Sequence, residues 1–246
     1  MSKLAIVTGG SRGLGRAMVL RLGEMGYNVV MNYVSDSSKA ECEKNLEDLK
    51  ALGVDGLHVQ ADVSKFEECQ KVVDAAVEKF GKKIDVLVNN AGVSNNHPFH
   101  TQDPSDYEWL MGVNLFSVMH MCRLVLPYMV ESEEGNIINI SSIGGLIGVL
   151  NQADYCASKS AILGFTRALA VEYAKQNIRV NAICPGMIAT DILKGVNQDE
   201  LNALAATIPL GHIGEPDCVA GAMQYLIENN YTTGTYLTPN GGIVMP

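Results

Sequence analysis

The chain has 246 residues, of which 47% are hydrophobic and 18% are charged, and its formal net charge is −9. This composition excludes a disordered chain, because disorder requires few apolar residues and many charges, and the usual charged fraction is already ~25%. The acidic balance, with no run of Lys or Arg, excludes a nucleic-acid groove, so we expect no nucleic-acid partner.

The sequence also argues against a membrane-spanning or secreted protein. The longest uncharged stretch, residues 135–153, contains several amide and hydroxyl side chains that hydrocarbon would not tolerate. The apolar run near the N-terminus covers only residues 4–7, which is too short for a signal peptide. The six cysteines form no C-x-x-C pair, so free thiols in the cytoplasm are expected. His97 and His100 have no third partner at metal spacing, so we expect no metal site.

Short apolar runs alternate with amphipathic stretches along almost the whole chain. The first run ends at a glycine-rich turn, and a helix follows in which Met18, Leu22 and Met25 share one face. Ser64 is expected to cap a later helix, with Glu67 in the capping-box position. Strands are predicted over residues 4–7, 28–32, 56–60, 84–88, 137–140, 178–183 and 235–237, and further helices over 35–52, 64–80, 104–130, 153–174 and 215–227.

This alternation predicts an α/β fold. Strands separated by helices of this length form right-handed βαβ units on a parallel sheet. The strand at residues 84–88 is mostly apolar, as expected when helices cover both faces of a sheet. No Pro-, Gly- or Ser-rich linker divides the chain, so residues 1–246 are interpreted as a single domain. A substrate-loop insertion is expected at about residues 187–212.

The first turn, residues 8–15, reads T-G-G-S-R-G-L-G and lies between a strand and a helix. Glycines there permit a tight turn and the close approach of a phosphate, and the helix N-terminus supplies unpaired N–H groups and the positive end of a dipole. The spacing is G-x-x-x-G-x-G and not G-x-G-x-x-G. In its strand–turn–helix context, this turn predicts a dinucleotide site.

Other residues point to acid–base chemistry. Tyr155 and Lys159 are about one helical turn apart, so both side chains project from the same face. A nearby ammonium lowers the pKa of a phenol from about 10 towards the working range of a general acid or base. Ser142 ends the fifth strand and residues 89–92 end the fourth, at the edge where parallel sheets bind ligands. Asn114, in the long helix, is a candidate buried amide.

In these features the chain resembles the short-chain dehydrogenase/reductases over essentially its full length. The matching pieces are residues 8–15, 61–63, 89–92, 155–159 and 185–186, with Asn114, Ser142 and Thr190. Within the family, the 3-oxoacyl-carrier-protein reductases are most similar at residues 137–142, 208–211 and 241–242. The resemblance implies a Rossmann-type, doubly wound parallel sheet of about seven strands in the order 3-2-1-4-5-6-7. It also implies a homotetramer in which helices 104–130 and 153–174 pack between subunits.

The resemblance assigns a role to each candidate catalytic residue. Tyr155 would protonate the carbonyl oxygen, and Lys159 would hold the nicotinamide ribose and lower the pKa of Tyr155. Ser142 would orient the carbonyl, and Asn114 would fix a water that links Lys159 to solvent. A Tyr–Lys spacing of four residues is similar to that of the carbonyl reductases of this family and unlike that of its enoyl reductases.

For the cofactor, the resemblance places Asp62 beside the adenine and Asn90 beside the adenosine ribose. It places Ile188 and Thr190 beside the carboxamide of the nicotinamide. The full set of expected cofactor-binding residues is Gly9, Ser11, Arg12, Gly13, Leu14, Gly15, Asn32, Tyr33, Asp62, Val63, Asn90, Ala91, Gly92, Tyr155, Lys159, Pro185, Gly186, Ile188 and Thr190.

The choice of nucleotide follows from charge. NAD-specific sites usually place an acid at the end of the second strand, where it accepts a hydrogen bond from the ribose 2′-OH. Here Asn32 and Tyr33 occupy that place, and Arg12 could pair with a 2′-phosphate. We therefore expect NADP(H) in preference to NAD(H). Asp36 favours the opposite choice, because a carboxylate that swings in would repel the phosphate.

The implied reaction is the reversible reduction of a ketone, with a 3-oxoacyl thioester as the first candidate substrate. Reductases that act on acidic carrier proteins look to use basic residues beside the site entrance, and the resemblance places the loop before the fifth strand there. This loop, residues 131–135, carries three acids and no base, and together with the net charge of −9 this disfavours docking of a carrier protein. Coenzyme A thioesters, other small ketones and hydroxysteroids stay open as substrates. An apolar wall is expected from residues 93–100, 144–152 and 187–212. A non-catalytic nucleotide-binding sensor is the remote alternative, which the complete set of candidate catalytic residues disfavours.

Overall fold

A sheet of seven parallel strands lies at the centre of the computed structural model, which describes residues 3–190 and 197–245. The strands are β1 Lys3–Val7, β2 Tyr27–Tyr33, β3 Gly56–Gln60, β4 Val86–Asn89, β5 Gly135–Ile140, β6 Ile178–Ile183 and β7 Tyr236–Leu237. Their order is β3-β2-β1-β4-β5-β6-β7, and every pairing between neighbours is parallel. The predicted fold class and strand order are confirmed.

Helices cover both faces of this sheet. Those of the described residues are α1 Gly13–Glu24, α2 Lys39–Ala51, α3 Phe66–Phe80, α4 Pro104–Met111, α5 Ser117–Ser132, α6 Ala153–Tyr173, α7 Gln198–Ala206 and α8 Pro216–Glu228. Side chains of α1, α2 and α8 form the core on one face, and those of α3, α5 and α6 form the core on the other. The result is a three-layer α/β/α arrangement in one domain.

The strand β1 shows why the central strands are apolar without alternation. Leu4 and Ile6 belong to the core beneath α3 and α5, whereas Ala5 and Val7 belong to the core beneath α1 and α8. All four residues are at most 1% exposed. Successive side chains of a strand point to opposite faces, so a strand that is covered on both sides needs an unbroken apolar run.

The expected cap of α3 is wrong. α3 begins at Phe66, its N-cap is Lys65, and no side chain caps it. The Ser64 hydroxyl donates instead to Asp62 Oδ1 at 2.7 Å, and the Ser64 N–H donates to the same oxygen at 3.1 Å. Because the Asp62 carboxylate engages Ser64 in a local turn, Ser64 and Glu67 do not form the capping box.

The long helix predicted over residues 104–130 runs from Pro104 to Ser132 and has a defect in the middle. A π-helical segment, Gly112–Phe116, joins α4 to α5 and contains Asn114; such segments often occur at functional sites. By length and composition alone, the run would also be sufficient to cross a membrane. Half of its most apolar stretch is buried in the protein, as in a core helix, so the run is weak evidence for a membrane span.

The candidate site residues and the acidic loop 131–135 lie at opposite edges of the sheet. The loops after β1, β2, β4, β5 and β6 meet at the carboxyl edge, and Ser142 follows β5 there. Loop 131–135 precedes β5, so about 20 Å of strand separates it from Ser142. Glu134 pairs with Lys83 at 2.8 Å at this opposite edge. The expectation that this acidic loop lies beside the site is therefore wrong within one chain.

Candidate active site

Two cavities lie side by side along the carboxyl edge of the sheet. The first cavity, of about 550 Å³, is lined from the loops after β1, β2, β3 and β4, and the second, of about 480 Å³, from the loops after β4, β5 and β6. Every candidate catalytic or cofactor-binding residue lines at least one of them except Asn114, which is 0% exposed. The residues common to both cavities, which make them one groove, are Leu14, Asn90, Gly92, Val93 and Thr190.

In the first cavity the glycine-rich turn presents backbone because side chains do not fit there. Gly9 and Gly13 have φ values of 63° and 54°, a region that favours glycine. A Cβ on Gly15 would lie 2.0 Å from the carbonyl oxygen of Gly9, so a side chain there would break the turn. α1 begins at Gly13, and its first N–H groups have no partner within the helix, which suits an anion.

Asn32 and Thr8 support this turn from behind. The Asn32 amide accepts from the Gly9 N–H at 2.9 Å and donates to a backbone carbonyl after β3 at 2.8 Å. Thr8 Oγ1 accepts from the N–H groups of Asn90 and Ala91 at 2.9 and 3.0 Å. Asn32 therefore holds the turn in shape. The sequence prediction omitted Thr8, although a hydroxyl between a strand and a glycine turn is a signal for such contacts.

Hydroxyl groups line the end of the first cavity near β2. Ser35 and Ser38 follow β2, both line the cavity, and their Oγ atoms are 3.3 Å apart. The sequence prediction missed both residues, because serines are common in any loop that follows a strand. Arg12 lines the same cavity, whereas Asp36, which lies between the two serines in the chain, is not among its lining residues.

Lys159 brings a buried amine to the second cavity. It is 4% exposed, and its Nζ donates to the Ile140 carbonyl at 3.0 Å. Burial lowers the pKa of Lys159 to about 8, because the charged form loses its hydration. Nζ lies 5.8 Å from the centroid of the Tyr155 ring. The two side chains thus lie together, as their spacing on α6 predicts.

The pKa of Tyr155 is raised above its ordinary value in this structure. Burial raises it, and a hydrogen bond with Ser142 lowers it by less. The expected lowering of this pKa by Lys159 is wrong for this structure, because Lys159 is not among the groups that shift it. The phenol is consequently protonated at neutral pH, the form that can donate a proton.

Two glycines after Ser142 shape the wall beside Tyr155. Ser142 Oγ accepts from the Gly144 N–H at 3.0 Å. A Cβ on Gly144 would lie 3.1 Å from Cε1 of Tyr155, and one on Gly145 would lie 2.7 Å from Oγ of Ser141. The sequence prediction included these glycines only within the expected wall 144–152 and gave them no role of their own, although a Gly-Gly pair two residues after a candidate catalytic serine was an available signal.

The Asn114 amide is engaged within the protein. Its Oδ1 accepts from the Val93 N–H at 2.8 Å, and its Nδ2 donates to the Val93 carbonyl at 2.9 Å and to Ser158 Oγ at 3.1 Å. A Cβ on Gly92 would lie 3.3 Å from both Asn114 Oδ1 and Lys159 Nζ, so the two side chains border the same small space. Asn114 fixes the loop after β4 there, and its expected contact with a water stays a prediction.

The remaining wall of the second cavity is mainly apolar. Among the described residues that line it, only Lys159 carries a charge. Residues 191–196 of the expected wall lie outside the described residues. The cavity suits an uncharged carbonyl compound next to a phenol and a serine hydroxyl. Other lining residues are Ser94, Ile143, Val149, Gln152, Met187 and Leu204.

Comparisons with known proteins give relatives of the full length. The family model of the short chain dehydrogenases matches residues 3–201. A 3-oxoacyl-(acyl-carrier-protein) reductase FabG of Staphylococcus epidermidis is 37% identical over 247 residues, which cover 100% of both chains. The Staphylococcus aureus protein of that name is 36% identical, over 100% of this chain and 99% of its own. A 3-oxoacyl-(acyl-carrier-protein) reductase of Synechocystis sp. is 35% identical, over 99% of this chain and 98% of its own.

These matches extend over both cavities and the strands that carry them. The family match alone runs from β1 into α7, and it includes Ser142, Tyr155 and Lys159. Identity of this level over the whole length, together with the family match, settles the class of reaction. The protein is an oxidoreductase that acts on C=O and CH–OH groups, and the chain belongs to the short-chain dehydrogenase family.

Proposed function

We propose that this protein reduces 3-oxoacyl thioesters to 3-hydroxyacyl thioesters with NADPH. The observation that carries the proposal is the convergence of the Tyr155 phenol, the Ser142 hydroxyl and the Lys159 amine in the second cavity, which is continuous with the glycine-rich first cavity. A proton donor for a carbonyl oxygen therefore lies beside a site for a dinucleotide. The names of the relatives supply the 3-oxoacyl group as the substrate class.

The residues of the groove fit a dinucleotide. The turn at Gly9, Gly13 and Gly15 leaves a cradle that a Cβ would fill, and the N-terminus of α1 adds N–H groups for a pyrophosphate. Asp62 lines the first cavity and would contact the adenine, and Lys159 would hold the ribose of the nicotinamide. When bound, the cofactor supplies the hydride.

Charge around the loop after β2 supports NADP(H) over NAD(H). Asn32 and Tyr33 are buried at the end of β2, where an NAD site usually carries an acid. Ser35 and Ser38 of this loop line the first cavity, whereas the acidic residue of the loop, Asp36, does not. Arg12 lines the same cavity and would pair with a 2′-phosphate.

The chemistry assigned to the chain is proton transfer and orientation. Tyr155 donates its proton to the carbonyl oxygen as the hydride adds to the carbon, and Ser142 hydrogen-bonds to the same oxygen. The phenol is protonated at neutral pH already at its ordinary pKa, and burial raises that pKa further, so its resting form is the one that reduction consumes. Lys159 is charged below its pKa of about 8 and would hold the nicotinamide ribose beside the phenol.

The test is NADPH oxidation by the purified protein with acetoacetyl-coenzyme A, a 3-oxoacyl carrier protein, small diketones and oxo-steroids, with NADH in parallel. We expect the two thioesters to have the highest kcat/KM. The acidic loop 131–135 lies across the sheet from the site, so its charge does not prevent a carrier protein from docking there. A higher kcat/KM for the carrier-protein thioester would therefore identify the carrier protein as a partner. Turnover confined to steroids or small ketones would contradict the substrate class. NADP⁺ binding without turnover of any substrate would favour the alternative function, a non-catalytic nucleotide-binding sensor.

We also propose a cytoplasmic homotetramer. One face of α5 and the adjoining π segment exposes large apolar side chains: Phe116 is 47% exposed and Met119 40%. Val130 continues this face, and Val171 of α6 is 82% exposed. Apolar side chains repeated on one helix face are typical of an interface. Light scattering should give four chains per particle, and Met119→Glu should give smaller particles. A wild-type monomer would contradict the assembly.

A further inference from the structure

A glutamine on the outermost strand holds the loop that follows β2. Gln60 is the last residue of β3. Its Nε2 donates to the Val34 carbonyl at 3.0 Å and to Asp36 Oδ1 at 2.8 Å. Both acceptors lie in the five-residue stretch between β2 and α2. One side chain therefore fixes the backbone and the carboxylate of the same loop.

The carboxylate held in this way is the only acid of residues 34–38. Val34, Ser35 and Ser38 line the first cavity, but Asp36 is not among the lining residues. β3 is the edge strand next to β2, so the bond to Gln60 draws Asp36 towards the outer edge of the sheet. The hydroxyls of Ser35 and Ser38 are left on the cavity side of the loop.

We propose that Gln60 is a positioning residue that determines cofactor specificity, because it keeps Asp36 out of the site for a 2′-phosphate. This rests on the proposed function, which takes the 2′-phosphate of NADP(H) to bind near Ser35 and Ser38. An Asp36 turned into the cavity would repel a phosphate dianion and could accept a hydrogen bond from the ribose 2′-OH of NAD(H). The loop thus serves NADP(H) although its sequence contains an acid.

The substitution Gln60→Met tests this, because it keeps the length of the side chain and removes both hydrogen-bond donors. We expect the ratio of kcat/KM with NADPH to kcat/KM with NADH to fall about fivefold, which corresponds to about 1 kcal/mol. The Kd for NADP⁺, measured by titration calorimetry, should rise by a similar factor. The Kd for NAD⁺ should be unchanged or lower.

The matched control is the same substitution in an Asp36→Asn background. There Gln60→Met should leave the ratio unchanged, since no charge remains to be released. The effect in the wild-type background should also shrink in 1 M salt, where the Debye length is about 3 Å. A purely structural role for Gln60 would show neither dependence.

Two outcomes would overturn the proposal: an unchanged ratio in Gln60→Met, or an equal change in both backgrounds. A thermal melt of each variant shows whether it is folded, so that neither outcome is confused with a loss of the folded protein. The ratio of kcat/KM with NADPH to kcat/KM with NADH in the wild-type protein is measured independently and tests the proposed cofactor. A wild-type protein that prefers NADH would contradict NADP(H) whatever Gln60 does.

Discussion

The two cavities are suited to their ligands in opposite ways, the first through open backbone and the second through buried functional side chains. In the first cavity the chain omits side chains: glycines, two of them with positive φ, leave the backbone open before the N-terminus of α1, and Asn32 and Thr8 support the turn. In the second cavity the chain buries side chains that would otherwise be hydrated, so Lys159 is 4% exposed and its pKa falls to about 8.

This difference predicts which kind of substitution should impair each cavity. The first cavity should fail when atoms are added, because its function depends on open backbone. The second should fail when single functional atoms are removed, and it should become more stable when a buried charge is replaced. Four substitutions test this contrast.

The largest effect is expected for Tyr155→Phe, which removes one oxygen from the second cavity. Loss of the general acid should lower kcat/KM for ketone reduction by about 10³-fold. The Kd for NADP⁺, followed by fluorescence titration, should change little because the first cavity is untouched. Activity within tenfold of the wild type would contradict the assigned role of Tyr155.

Gly15→Ala adds one carbon to the first cavity. The new Cβ would lie 2.0 Å from the Gly9 carbonyl oxygen and 2.8 Å from Asn90 Nδ2, so the turn must shift. We expect NADP⁺ affinity to fall about 100-fold and the free energy of unfolding to fall by about 1–3 kcal/mol. Gly221→Ala in α8 is the control, since its Cβ meets nothing within 4 Å. That variant should bind normally and be slightly more stable. Equal behaviour of the two variants would refute the open-backbone explanation.

Lys159→Met should abolish turnover yet stabilise the cofactor-free protein by about 1–3 kcal/mol at pH 7. The pKa of Lys159 in the folded protein, about 8, lies below its ordinary value of 10.5, so between these two pH values the unfolded chain binds more protons. Wild-type stability therefore rises from pH 8 to 10.5. The advantage of the variant should be complete below pH 8 and shrink above it. Denaturant melts at several pH values measure this, and a destabilised variant at pH 7 would show that burial of Lys159 costs little.

The smallest effect is a shift of a pH profile in Ser142→Ala. The hydrogen bond with Ser142 lowers the pKa of Tyr155, so its loss should raise that pKa further. In the direction of alcohol oxidation, which needs the tyrosinate, the rise of kcat/KM with pH should move to higher pH. Ser160→Ala, which loses only an exposed bond to the Gly145 carbonyl, should not move the profile. A profile shifted to lower pH in Ser142→Ala would contradict this coupling.

Most of the fold could be predicted from periodicity. Apolar runs such as residues 4–7 and 86–88 were recognisable because strands covered on both faces contain few polar residues. Element ends were less predictable: α3 begins at Phe66 because the Asp62 carboxylate engages the Ser64 hydroxyl, a competition between two local bonds. The π segment around Asn114 was not predicted, because the apolar pattern of the helix continues through it without a break.

The sequence by itself determined the alternation of strands and helices, the glycine turn and the pairing of Tyr155 with Lys159, because each depends on local spacing or on apolar character. The strand order was implied by the resemblance to the family. Only the tertiary structure decided the direction of the Tyr155 pKa, the placement of Asp36 outside the first cavity and the distance of loop 131–135 from the site. These depend on burial and on contacts between residues far apart in the chain. Residue type alone gives the charge of a side chain, whereas its surroundings give the free energy of that charge.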